Sequence, residues 1–386
     1  MRDENGDLIL VFSQLPWLVI PLAVVLTAAT AQLLIPLALR LGWVDQPDAR
    51  KVHDQATPPV GGLAIFIALG LTLGLSSSAD FTSNPFFTVL MAAGLLLMLT
   101  GLIDDLRGLS AFLRFLVQVG ACLLIIHVSG VRLDDFGQLF SGNVLTLGWL
   151  AVPITVFAAL GVINAFNMID GMDGLSGSMF MVGAAGMALF AASAGRWDMF
   201  WFLGIALAAV LGFLLLNARF PWNRRARIFL GDSGSLLLGL LLAWCFIRLG
   251  GGDRRVFVPM TAVWMFAVPL LDTSTLIWTR WRHGRSAFSA DQNHLHHAFL
   301  RAGYAVEHTW LGITGLALVL AAIGIGFELS RLPEYFSFYT FMVVAFVYYF
   351  YMRRCWASQR FLGRHFIHHD FTVEEPQRLG GVGSSQ

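Results

Sequence analysis

Long apolar runs separated by short polar stretches recur along almost the whole chain. Eleven of them approach the roughly 20 residues that a helix needs to cross a bilayer. They cover 15–40, 61–78, 86–103, 112–130, 144–163, 175–194, 197–217, 234–250, 256–278, 309–328 and 335–352. The runs are unbroken rather than alternating, which argues against the strands of a membrane β-barrel. Backbone groups in hydrocarbon must pair within their own segment, so the pattern predicts helices. The expected fold is all-α, a polytopic transmembrane helical bundle of about eleven spans. Residues 1–352 form one transmembrane domain and 353–386 a C-terminal tail. Pro21, Pro36, Pro153 and Pro269 fall inside runs and predict kinks. No internal repeat stands out.

Orientation follows from the loops, because cytoplasmic loops are enriched in Lys and Arg. Alternate loops, starting with 41–60 and including the tail, hold most of the 25 basic residues. Among them are Arg50, Lys51, Arg107, Arg114, Arg219, Arg224, Arg280, Arg285 and Arg301. That side is expected to be cytoplasmic, with the N-terminus outside and the C-terminus inside. Loop 249–255, carrying Arg254 and Arg255, is the external loop that runs against the rule.

Composition agrees with a membrane protein. The 386 residues are 57% hydrophobic and 13% charged, where a soluble domain carries about 25% charged residues. A formal net charge of +1 points to no nucleic-acid partner. Cys122, Cys245 and Cys355 are far apart, each beside apolar residues, and read as packing residues. The acidic start MRDENGDLIL is unlike a secretory signal, so no cleavage is expected.

The unusual polar residues gather on the expected cytoplasmic side. A transporter would place ionisable groups near the bilayer midplane, whereas the runs here are nearly free of them. In GLIDDLRGLS, Asp104 and Asp105 sit at the C-terminal end of a run, where the helix dipole disfavours negative charge. The pair is either a cation site or a solvated helix stop. In INAFNMIDGMDGLSG, Asn164, Asn167, Asp170 and Asp173 recur every third residue. They share one face if the segment is helical, and otherwise form a polar turn. In RIFLGDSGSLLLG, Asp232 opens a run among small residues. That arrangement suits phosphate or metal contact, or plain helix capping. In GRSAFSADQNHLHHAFLRAG, His294, His296 and His297 crowd together after Arg280, Arg282 and Arg285. An anion site, zinc and a surface loop are all compatible with that segment. RKVHDQATPPVGG, 50–62, is a basic, turn-rich entry to the second run.

These motifs, in this order, resemble the polyprenyl-phosphate N-acetylhexosamine-1-phosphate transferase family. The resemblance runs from about residue 40 to 303, and the run count extends it to about 352. It looks closest to the bacterial undecaprenyl-phosphate GlcNAc-1-phosphate transferases that start O-antigen, lipopolysaccharide and related glycans; NAFNMIDGMDGL is nearly the family signature. The resemblance implies a bacterial inner-membrane enzyme with its site on the cytoplasmic face. It would take a UDP-N-acetylhexosamine and undecaprenyl phosphate, with Mg2+ (or Mn2+) as cofactor, and release UMP. It leaves a homo-oligomer open. It further implies that Asp104, Asp105, Asp170 and Asp173 are catalytic, with Asp104 sometimes proposed as a base toward the lipid phosphate. Asp232 and Asp105 would hold the metal. Phe229 would stack on uracil and Asn217 would belong to the nucleotide pocket. His294, His296, His297, Arg285, Asn164 and Asn167 would contact substrate. A lysine that often follows the aspartate pair is Phe112 here, with Arg114 the nearest base. A loop that usually reads SPFSPDR has Ala287, Ala290 and Gln292 instead. The alternatives are a phospho-MurNAc-pentapeptide transferase and, from another class, a secondary transporter.

Overall fold

The computed structural model describes residues 16–46, 56–76, 81, 83–140, 142–252, 254–284, 286 and 293–366, with side chains to 358. Thirteen α-helices carry the described residues. They are α1 (Val19–Leu41), α2 (Gly61–Leu75), α3 (Pro85–Arg107), α4 (Ala111–Ser129), α5 (Ala151–Ile169), α6 (Leu175–Ser193) and α7 (Trp197–Asn217). After these come α8 (Gly231–Gly250), α9 (Pro259–Met265), α10 (Ala267–Arg282), α11 (Leu295–Arg301), α12 (Val306–Leu329) and α13 (Glu334–Phe366). Among the described residues there is no strand, only isolated bridges such as Asp45 with Thr57.

Each apolar run contains a helix among the described residues, but not every run is a clean span. Nine helices of the described chain are long and apolar enough to cross a membrane, or ten if the bent pair α9–α10 is one span. Helix α2 has 15 residues, a rise of about 22 Å against a hydrocarbon core of about 30 Å. Run 256–278 is broken at Phe266, where α9 and α10 meet at 84°. Pro269 explains the break: it has no N–H to offer the carbonyl of Met265 one turn back. Pro21 and Pro153 lie in the first turns of α1 and α5, where an N–H has no partner within its helix anyway. Helix α13 continues past residue 352 to Phe366.

Helix α8 is the axis of the bundle. From Ser233 to Ile247 it is buried at every position, and its Leu side chains lie in the core. It packs against α2, α3, α5 and α6. Two of these approaches depend on glycine: a Cβ on Gly62 would overlap the backbone of Ser233 and Gly234, and one on Gly101 the backbone of Asp232 and Ser233. The outer helices turn large apolar side chains outward, for example Leu33 on α1, Leu123 on α4 and Phe346 on α13, as a lipid-facing surface requires. Two buried hydroxyls bond within their own helices, Thr27 to the Ala23 carbonyl (3.0 Å) and Thr155 to that of Ala151 (2.6 Å).

The helices alternate in direction, so the ends that carry acids come together. The C-terminal ends of α3, α5 and α7 meet the N-terminal starts of α2, α6 and α8. The turn from α3 to α4 is short and stitched. Asp104 Oδ1 accepts the Leu109 N–H (2.5 Å), and the Ser110 hydroxyl caps α4 by accepting the Leu113 N–H (3.2 Å). That turn carries Arg114 back over the end of α3.

Candidate active site

The acid-bearing ends enclose a cavity of about 490 Å3. It is lined by Asp45, Asp105, Asp170, Asp173, Asp232, Gly171, Asn217, Arg219, Phe229 and His297, among others. Asp105 closes the start of α8: its carboxylate accepts the backbone N–H of Asp232 (3.0 Å) and of Ser233 (3.4 Å). The first N–H groups of a helix have no partner inside it, and here a side chain of α3 supplies one. The cap that the sequence leaves open for Asp232 therefore comes from Asp105. Asp232 turns its own carboxylate to Asn167, whose amide donates to Oδ1 (2.7 Å) and to the Ser235 hydroxyl (2.8 Å).

Asp104 plays a different part from its neighbour. It does not line the cavity; it is ion-paired to Arg114, which also lies 3.5 Å from Asp232 Oδ2. Arg114 is thus a cationic bridge between two acids at the site edge.

The run from Asn164 to Asp173 is not one helix face. Helix α5 ends at Ile169, so Asn164 and Asn167 are helical while Asp170 and Asp173 belong to the following loop. Asn164 faces Gln118 of α4 (2.8 Å) and the Leu160 carbonyl and does not reach the cavity. Asp170 accepts from the Ser176 hydroxyl (2.6 Å). Burial pushes Asp170 up to about 7; the Ser176 hydroxyl pulls the other way, and Asp232 and Asp173 add to the rise. Asp173 is paired with Arg219 (2.8 Å). Asn217 ties two loops together, accepting the Gly174 N–H (2.8 Å) and donating to the Ile228 carbonyl (2.9 Å). Phe229 is half-buried on the wall, its backbone bonded to Pro58 and Gly61 (both 2.9 Å).

The three histidines divide their work. His297 lines the cavity. His296 is buried with both ring nitrogens unbonded among the described residues. Its Nε2 would lie 2.6 Å from a Cβ on Gly171. Burial, with His297, His294 and Arg301 alongside, holds its pKa well below the ordinary imidazole value, so it is neutral. His294 is anchored by Asp272 of α10, its Nδ1 2.8 Å from Oδ2. The Leu295 N–H and the Tyr348 hydroxyl also donate to Asp272 Oδ1, each at 3.0 Å. One buried carboxylate therefore fixes α11 and its histidines to α10 and α13. Arg285 and the substituted loop positions Ala287, Ala290 and Gln292 lie outside the described residues, as does the basic stretch 50–55.

Asp272, Asp45, Arg219 and Ser176 take no part in the motif reading. Asp272 is a lone acid in an apolar run, which is a signal in itself. Asp45 follows the Gly42 turn closing α1 and pairs its backbone with Thr57 (2.9 and 3.1 Å). It gives no pattern to find.

The fold and this cavity define a multi-pass helical membrane protein with an acid-rich site at the helix ends of one face. Comparison with known proteins narrows the class. Residues 87–250 match the model of glycosyl transferase family 4. The undecaprenyl-phosphate alpha-N-acetylglucosaminyl 1-phosphate transferase of Yersinia pestis is 32% identical over 328 residues, 85% of this chain and 88% of the relative. The enzyme of that name from Escherichia coli (strain K12) is 32% identical over the same shares. The one from Haemophilus influenzae is 33% identical over 329 residues, 85% of this chain and 92% of the relative. The chain belongs to glycosyl transferase family 4.

The Asp272 anchor has a measurable weight. Asp272→Ala strands three buried donors and is expected to cost about 3 kcal/mol or more, against about 1 kcal/mol for Tyr348→Phe, which removes one bond. Denaturant unfolding of both variants in detergent measures the difference; equal losses would remove Asp272 from its place as the hub.

Proposed function

We propose that this protein transfers an N-acetylhexosamine-1-phosphate, GlcNAc-1-phosphate in the first instance, from a UDP-sugar to undecaprenyl phosphate, with release of UMP. The observation that carries the reading is the convergence of Asp105, Asp170, Asp173 and Asp232 on one cavity where helices end. The activity of the relatives supplies the substrate class. Such a site suits two phosphate-bearing substrates, one water-soluble and one held by its tail in the bilayer. The product would be the starting lipid of an O-antigen, lipopolysaccharide or related envelope glycan. The reaction breaks one phosphoric anhydride bond and forms another. An oxygen of the lipid phosphate attacks the β-phosphorus of the donor, and the bond from that phosphorus to UMP breaks. The lipid phosphate is already ionised at neutral pH, so no strong general base is required. Asp104, paired with Arg114, instead helps to hold the edge of the site.

The acids fit a hard divalent cation, magnesium or manganese. All are oxygen donors, and Asp105 and Asp232 meet at the start of α8. Among the described residues no three acidic, histidine or cysteine side chains already enclose an ion. Magnesium takes one or two carboxylates and completes its shell with water and substrate phosphates. Asp105 and Asp232 would hold the ion, which supplies charge neutralisation between phosphates. Asn167 orients Asp232. Phe229 offers a flat face to uracil, and Asn217 holds the wall behind it. His297 and Arg219 stand where phosphate or sugar hydroxyls would lie. Positioning and charge stabilisation are most of what phosphoryl transfer needs.

The excess of basic residues on this face supports a cytoplasmic site and an inner-membrane location. In a Cys355→Ser background, a membrane-impermeant maleimide is expected to label Leu332→Cys in sealed cells, and Arg224→Cys only after permeabilisation. The opposite pattern would invert the orientation.

With donor labelled at the β-phosphorus, the label is expected in the lipid fraction and unlabelled UMP in water. Labelled UMP should re-enter UDP-sugar when product lipid is supplied. Release of UDP with all donor phosphorus left in water would overturn the reaction.

EDTA is expected to abolish activity and magnesium or manganese to restore it. Asp232→Asn should lose most activity. Asn167→Ala should lose about 10–100-fold and raise the magnesium needed for half-maximal rate. Full activity in EDTA would end the assignment of a metal.

A further inference from the structure

The loop that runs against the orientation rule leads to a second cavity. Arg255 is held in an ion-pair network. It is paired with Asp135 (2.9 Å) and lies 3.9 Å from Glu334, pinning the loop before α5 to the start of α13. Arg254 does not share these partners. It lines a cavity of about 510 Å3 with Arg132, Arg196, Arg248, Asp134 and Asp198. The cavity lies between the end of α4, the start of α7 and the end of α8. Asp232 and Gly250 are separated along α8 by about 27 Å, so this cavity is on the face opposite the acid-lined one.

Its charge does not balance within the described residues. Arg132 is paired with Asp134 (2.8 Å) and Arg196 with Asp198 (3.3 Å). Arg248 and Arg254 remain in excess. Arg248 is half-buried, with its guanidinium 5.1 Å from the centre of the Phe86 ring. Its Nε is buried without a hydrogen-bond partner. A buried N–H on a charged group costs stability until an acceptor arrives. Guanidinium forks recognise phosphate oxygens, often two at a time.

We propose that this arginine cavity binds a phosphate group at the membrane face opposite the active site, with Arg248 and Arg254 as its principal contacts. The group is either the headgroup of an anionic phospholipid or free phosphate, and the chemistry of recognition is the same. The inference does not depend on the transferase reading, because it uses none of the residues of the acid-lined cavity.

The test uses the full-length protein in detergent. Native mass spectrometry compares retention of phosphatidylglycerol with that of phosphatidylcholine. Thermal unfolding compares sodium phosphate with sodium chloride at equal ionic strength. The variants are Arg248→Gln, the exposed-turn variant Arg254→Gln, and Arg331→Gln as a charge control on the same face. If the source is lipid, the preference for phosphatidylglycerol falls about fivefold for each cavity arginine removed and is unchanged in Arg331→Gln. If the source is free phosphate, no lipid preference is seen, and phosphate raises the unfolding temperature of the wild type but not of the cavity variants. Equal responses of wild type, Arg254→Gln and Arg331→Gln in both assays would overturn the proposal. Arg254→Gln keeps the test decisive should Arg248→Gln fail to fold.

Discussion

Helix α8 has to begin inside the protein, at the edge of the bilayer, with its first N–H groups satisfied. Water cannot serve all of them there, and an unpaired buried N–H is costly. The chain meets this need by letting α2 and α3 come close enough to touch the α8 backbone at Gly62 and Gly101, where a Cβ would collide. Asp105 can then reach across and accept from Asp232 and Ser233. The stretch before α8 is held in turn by the Gly61 and Gly62 N–H groups, which donate to the carbonyls of Phe229 and Leu230 (2.9 and 3.0 Å). The same contacts that cap the central helix therefore set Asp105 beside Asp232 and set Phe229 on the cavity wall. Capping the helix and shaping the cavity are one arrangement here.

That arrangement has an electrostatic consequence. Five carboxylates line one cavity, and the described cations near them are shared, Arg114 between Asp104 and Asp232 and Arg219 between Asp173 and Glu307. Burial raises the pKa of Asp170, and Asp232 and Asp173 raise it further. An acid cluster of this kind repels phosphates, so it suits phosphate chemistry only with a cation between acid and substrate. On the other wall the histidine segment is held by Asp272 and keeps His296 neutral. It places His297 on the cavity wall.

The helices are legible in the sequence because the length of an apolar run is a direct physical requirement of the bilayer. Their breaks are less so. The bend at Phe266 depends on which carbonyl Pro269 leaves unpaired, and Pro21 and Pro153 look the same in sequence but fall in first turns. The acids at 104, 105, 170, 173 and 232 are legible as motifs. Their division of labour is not, because it is set by contacts across more than a hundred positions, such as Asp105 to Asp232. The three-residue period of Asn164 to Asp173 misleads for a definite reason. The period continues past the end of the helix, and Asn164 spends its amide on Gln118. Asp272 has only its isolation to mark it, since its three partners come from α11 and α13.

The residues that break a global pattern turn out to be those with a local role. Asp272 is an acid in an apolar helix, and it is the point on which three helices are tied. Arg255 is a base in a loop that runs against the basic-residue rule, and it holds a loop to α13 through Asp135 and Glu334. Arg248 and Arg254 have no carboxylate to answer them among the described residues. Topology is set by a sum over all loops, so a few arginines can stand on the opposing face when something there offsets their cost. For a paired base that is its acid, and for an exposed one such as Arg254 it includes water. By that reasoning α8 separates two cavities of opposite charge: an acid-lined one at its start and an arginine-lined one at its end.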